Sequence, residues 1–170
     1  LVITSEFATR TVIVTFACTP VRSRVLLAKV LVTGTVVAFT GALLAGLCVV
    51  VVAARFGEFG QLGPDVLGPL AAIGGYLAAI AILTMGIGAL VRRTAGAMAI
   101  VVALLLLVPE ILGLLADRFG SAILERIAAH TPAPAGYRFM AGDWASGLVL
   151  AGWAVAALAL GIWALQTRDA

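Results

Sequence analysis

Residues 30–54 read VLVTGTVVAFTGALLAGLCVVVVAA, without one Asp, Glu, Lys or Arg. A bilayer core about 30 Å thick is crossed by roughly 20 apolar residues of helix, so this run is long enough to span one. Two further charge-free runs follow at 66–91 and 144–167, and a fourth at 94–116 carries a single charge, Glu110. The expected fold class is therefore all-α. The chain reads as a polytopic membrane protein with four transmembrane helices, at about 30–54, 67–91, 94–116 and 144–167. A cytoplasmic amphipathic helix is expected ahead of them, and a short interfacial helix on the outer side.

Composition supports the same class. Hydrophobic residues make up 63% of the 170 and charged residues 11%, against about 25% charged in soluble domains. The excess is Ala, Val, Leu and Gly rather than aromatics, and small residues let helix backbones approach in lipid, where no hydrophobic drive exists between helices. Spacings of that kind recur at Gly34/Ala38, Gly41/Ala45, Ala71/Gly75, Gly152/Ala156 and Ala157/Gly161. Cys18 lies in the polar leading segment and Cys48 deep in the first apolar run, so no disulfide framework is implied. Nothing resembling a signal peptide precedes the first apolar run.

Basic residues near the spans set the orientation. Arg10, Arg22, Arg24, Lys29, Arg92, Arg93 and Arg168 fall on one side, and Arg55, Arg118, Arg126 and Arg138 on the other. The richer side is expected to be cytoplasmic, with both termini on it. The longest outer loop, about 117–143, places Phe119, Ile123 and Ile127 on one helical stripe with most charges elsewhere, as an interfacial helix would. Pro132 and Pro134 are expected to stop that helix before the chain re-enters at Trp144.

The division expected is a leading segment, 1–29, and a transmembrane domain, 30–170. Within the first, TSEFATRTVIVTFA (4–17) offers Thr4 or Ser5 as a helix cap and places Phe7, Val14 and Ala17 on one face. Periodicity and charge leave two readings open: an amphipathic segment resting on anionic lipid through Arg10, Arg22 and Arg24, or a docking surface for a soluble partner.

SEFATRT followed by TPVRSRVLLAK resembles the cytoplasmic loop of type-2 ABC (ATP-binding cassette) transporter permeases, particularly those of actinobacteria. The match falls on Glu6, Phe7, Thr11, Pro20, Arg22, Arg24, Leu27, Ala28 and Lys29. GIGALVRRTAGAMAI is similar to a later inner loop of that family through Gly88, Leu90, Arg92, Ala95 and Ala97, and VPEILGLL and the closing RDA also resemble it. Arg10 stands where the family usually has Gly. The family carries two more spans before this loop, so the resemblance implies an N-terminally truncated permease.

What it implies is the permease subunit of an exporter in the cytoplasmic membrane of a bacterium. The leading loop would form a coupling helix seated in a separate ATPase subunit, with Glu6, Phe7, Arg10, Thr11, Pro20, Arg22, Arg24 and Lys29 at that interface. The partners implied are the ABC ATPase, a second permease copy or homologue, and membrane lipid. Neither nucleic acid nor metal enters the expectation, and no catalytic residue is assigned. No GxxxxGK[ST] phosphate loop is present, and the only Lys is Lys29, so the expected cofactors, ATP and Mg, belong to the partner. Glu110 has two readings: a side chain near the outer interface or packed in the bundle, or part of the substrate path. His130 reads as a solvated loop residue. The competing classes are a non-transporting membrane anchor or assembly protein, and an intramembrane enzyme, for which the spans supply no acid–base pair beyond Glu110.

Overall fold

The computed structural model describes residues 22–56 and 66–167. Six helices account for nearly all of them: α1, Arg22–Phe56; α2, Leu67–Val91; α3, Thr94–Phe119; α4, Ala122–Ala129; α5, Pro132–Met140; and α6, Trp144–Thr167. Among the described residues there is no strand. Helices α1, α2, α3 and α6 are long and apolar enough to cross a membrane. The molecule is a multi-pass membrane protein.

Its surface shows the reason. Leu31, Val32, Phe39, Leu47, Leu114, Leu148 and Val155 are all exposed, among many other large apolar side chains. Water would not tolerate an apolar surface of that extent on a monomer. Hydrocarbon does, because the backbone polar groups of each span are satisfied within its own helix.

Packing is centred on α2. Helix α6 lies along one side of it and α1 along another, while the lesser contact of α1 with α6 includes the start of α1 and the end of α6. Of the most apolar stretch in each span, 28% is buried in α2 and in α6, 6% in α1 and none in α3. So α2 and α6 form the inner pair, α1 flanks them, and α3 is the most outlying.

The inner pair is built on missing side chains. A Cβ on Gly86 would lie 2.5 Å from the Ala157 carbonyl carbon, and one on Gly161 would lie 2.8 Å from the Gly86 carbonyl oxygen. The two backbones are therefore in van der Waals contact, the arrangement small residues permit in lipid. Gly74 makes a similar approach to α1, 2.8 Å from the Ala38 carbonyl oxygen on the same construction. Of the recurring small-residue spacings, Ala157/Gly161 thus marks a crossing, whereas Gly152 has nothing within 4 Å.

Two apolar clusters, both on the last turns of α2, tie the outer spans to the inner pair. Leu26, Val30, Met85, Ala89 and Leu165 join the start of α1 to the ends of α2 and α6. Leu83, Ile87, Ala97 and Ala154 tie α3 to the inner pair. The first cluster explains why α1 begins eight residues before the charge-free run, at Arg22: Leu26 and Val30 are buried there, at 5% and 3% exposure.

The segment between α3 and α6 corrects one expectation. Pro132 does end the preceding helix at Ala129, but Pro132 and Pro134 do not lead into a loop. Thr131 is extended (φ −70°, ψ 158°) and Pro132 is the first residue of α5. Prolines in a first helical turn forfeit only N–H groups that have no intrahelical partner anyway. Helix α5 is buried along Pro132, Ala133, Ala135 and Gly136, and it packs on α6, α2 and α3.

Gly86→Val is expected to force the inner pair apart and destabilise the bundle by about 1–3 kcal/mol. Gly152→Val, which enters open space, is expected to stay within about 0.5 kcal/mol. Helical circular dichroism during thermal unfolding in mild detergent measures both, and equal effects would refute the crossing.

Candidate functional site

The sequence singles out two places, a basic set around the leading segment and Glu110, and the structure sets them far apart. The basic set lies where α1 begins and where α2 and α6 end. Arg24 is exposed and Lys29 half-buried on the first turns of α1. Arg22 opens the same helix. Arg92 and Arg93 form a two-residue elbow between α2 and α3. Glu6, Phe7, Arg10, Thr11 and Pro20 lie outside the described residues, as does Arg168.

The elbow is built from an uncommon backbone. Arg92 closes α2 in the left-handed region, φ 59° and ψ 7°, with its N–H donating to the Gly88 carbonyl at 3.0 Å. Glycine usually fills that position, because a Cβ there crowds the next carbonyl at a cost of about 1–2 kcal/mol. The side chain supplies a return. Arg92 Nη2 donates to the Ala164 carbonyl of α6 at 3.5 Å, placing a cation at the negative end of that helix dipole. Arg93, extended and exposed, then starts α3.

At the opposite end, α6 is opened by Asp143. Its Oδ1 accepts from the Ala145 N–H at 3.1 Å and its Oδ2 from the Ser146 hydroxyl at 2.5 Å. The Ser146 hydroxyl, with smaller help from the Ala145 and Ser146 N–H groups and the Arg138 charge, holds the Asp143 carboxyl below its ordinary range, against a desolvation effect. Nearby, Trp153 Nε1 donates to the His130 carbonyl at 2.9 Å, and Arg138 Nη2 donates to the Ala129 carbonyl. His130 is exposed, and its Nδ1 sits 2.7 Å from the Arg126 carbonyl, so the proton is on Nδ1. No group of three His, Cys, Asp or Glu side chains gathers among the described residues.

Residues that the sequence reading passed over hold α5 in place. The Tyr76 ring occupies the space a Cβ on Gly136 would need. Phe139 abuts both Gly75 and Gly147, and its ring meets Trp144 edge-on at 5.4 Å between centroids. The available signal was Thr131–Pro132, a cap residue followed by proline at the first helical position.

Among the described residues, no side chain forms an ion pair or hydrogen bond with Glu110. It lies about 24 Å along α3 from Thr94 and about 14 Å short of Phe119, at 1.5 Å per residue. Its side chain is exposed, so it does not pack into the bundle interior. The helix is irregular just before it: Ala103–Leu107 is a π-helical turn, and the Val108 N–H reaches back to the Ala103 carbonyl. Pro109 follows, and it has no N–H to give. A charge at bilayer depth raises the energy by about 2.5–3.5 kcal/mol at a helix centre on insertion scales.

No family model, curated protein or solved structure matches this chain. The geometry therefore carries the functional reading together with the sequence. It offers a face on which three helix ends and several cations converge, an inner pair in backbone contact, and one carboxylate on the outlying span.

Two outcomes test the helix ends. Arg92→Gly is expected to be milder than Arg92→Ala, by about 1 kcal/mol, because glycine rests at φ 59° and alanine does not; equal losses in detergent unfolding would contradict this. Because folding lowers the Asp143 pKa, its stabilisation is present above the ordinary carboxyl range and disappears as pH falls through the folded value. Asp143→Asn is expected to flatten that acid limb of the unfolding profile, and an unchanged limb would refute the cap.

Proposed function

We propose that this chain is the membrane permease subunit of an ATP-driven exporter of the type-2 ABC kind. It would sit in the cytoplasmic membrane of a bacterium and draw energy from a separate ATPase subunit. The observation that supports the reading most is the convergence of the α1 start, the α2–α3 elbow and the α6 end on the side carrying Arg24, Lys29, Arg92 and Arg93. That side is proposed as cytoplasmic, by the excess of basic residues.

On this reading the leading segment grips the ATPase through Glu6, Phe7, Arg10 and Thr11, with Pro20, Arg22, Arg24 and Lys29 leading into α1. Phe7 supplies the apolar anchor, and Glu6 and Arg10 fix register. Nucleotide-driven closure of two ATPases would then move two permease copies, or a copy and a homologue, between inward- and outward-facing states. ATP and Mg stay on the partner. Phe119 at the end of α3 and Ile123 and Ile127 of α4 point away from the protein, at 72%, 71% and 50% exposure, as side chains resting in a membrane interface would. The side they occupy is proposed as the outer one because the opposite side carries more basic residues.

Co-purification in mild detergent tests the reading. The tagged chain is expected to retain an ABC ATPase, and Phe7→Ala or Glu6→Arg to lose it while the helical signal is kept. A folded chain that never retains an ATPase would leave the membrane-anchor reading in its place.

A further inference from the structure

We propose that the second half of α3 (Val108–Phe119) and α4 form a hinged hairpin, swinging as one body about two pins seated beside α5. The hairpin itself is well made. Gly120 turns the chain in the left-handed region (φ 59°), the Ser121 N–H donates to the Ala116 carbonyl at 3.1 Å, and the two arms pack along each other. Against the bundle it is almost unsupported. Of residues 108–129 only Ala116 is buried. Beyond the π-helical turn of α3 and α5, no described element makes more than slight contact with the hairpin. Segments with so few buried contacts move at little cost in free energy. The first half of α3 differs: Ala97 is buried, and Val101 and Leu104 pack on the cluster of the inner pair.

The first pin lies where these two halves meet. Ala103–Leu107 is π-helical, and the Val108 N–H goes to the Ala103 carbonyl. Pro109 has no N–H to offer the Leu105 carbonyl four residues back. At least one carbonyl of the Leu104–Leu105 pair thus lacks a donor from its own helix. Helices bend sharply at such places, and α5 packs against this one. The second pin is the far end of α4. There the Ala129 carbonyl accepts from Arg138 Nη2 of α5, and the His130 carbonyl from Trp153 Nε1 of α6 at 2.9 Å. Thr131, next in the chain, is buried.

Rotation about the line joining the pins moves the apex. Val108–Phe119 is an arm of about 18 Å at 1.5 Å per residue. A swing of about 20° therefore displaces Gly120 by about 6 Å. Asp117, Arg118, Glu125 and Arg126, all exposed, ride near that apex, while α2, α5 and α6 keep their contacts with one another. Neither pin uses a residue assigned to the ATPase interface, so the hinge stands or falls apart from the transport reading.

The test uses the full chain in phosphatidylcholine nanodiscs, with Cys18→Ser and Cys48→Ala to clear the background. Spin labels go to exposed positions, Leu31→Cys with Phe119→Cys across the hinge, and Leu31→Cys with Leu148→Cys as a reference between α1 and α6. Double electron–electron resonance is expected to give a distance distribution about 5 Å broader for the first pair than for the second. Pro109→Ala, which restores an N–H at the bend, is expected to narrow the first distribution to the reference width. Trp153→Phe, which keeps a ring and loses the donor, is expected to widen it further. Both should leave the Leu31–Leu148 width unchanged. A Phe119 distribution no broader than the reference overturns the proposal, whether the hairpin is stiff or clamped by a second copy. So does breadth that survives Pro109→Ala or ignores Trp153→Phe in a folded chain. The comparison of the two label pairs decides without either pin variant, should one of them fail to fold.

Discussion

The contact of two backbones at Gly86, Ala157 and Gly161 organises the rest of the bundle. In lipid, neighbouring acyl chains are as apolar as leucine, so burying leucine yields little and close approach yields dispersion and dipole contacts instead. With α2 and α6 held at that distance, Met85 and Ala89 lie beside Leu165, and Leu83 and Ile87 lie beside Ala154. The first of these clusters receives α1, and the second receives α3. A side chain at either glycine would act on all four spans at once.

The two ends of the bundle are secured by different chemistry. At the elbow, one arginine accepts a strained backbone and reaches the last turn of α6. At the far side an aspartate caps the first turn of that same helix, while rings seated against glycines fasten α5 over the inner pair. Helix α6 is thus held by a cation at its C-terminal end and an anion at its N-terminal end, both matched to its dipole. Helix α3 has no comparable fastening along its length. Its irregular turn and its carboxylate fall where the protein grips it least.

How much of this was legible in the sequence depended on which force set each feature. The end of α2 and the start of α6 coincide with limits of the charge-free runs 66–91 and 144–167, because Arg92 and Asp143 are both the charges that bound those runs and the groups that close α2 and open α6. The start of α1 was hidden, since RSRVLLAK looks like a polar approach until Leu26 and Val30 find a cluster formed by distant residues. Helix α5 was hidden for a local reason: proline reads as a breaker, and only its position relative to Thr131 makes it a beginning. Glu110 was conspicuous as the lone acid of its run. Its facing was not, because a span apolar on every side carries no periodicity that points inward.

The length of α1 has a mechanical corollary. At 35 residues it is one unbroken rod of about 52 Å, well beyond the hydrocarbon thickness of about 30 Å. Such a rod must project or lean, and it has no proline along it at which to fold. Any tilt of α1 near Arg22 would bear on the contacts of Leu26 and Val30 with the ends of α2 and α6. The same stiffness carries the tilt on to Gly74, where α1 and α2 touch main chain to main chain. Ala38, whose carbonyl meets Gly74, lies near the middle of the rod, about 24 Å from Arg22 and about 27 Å from Phe56, so a tilt about that contact would move both ends by similar amounts.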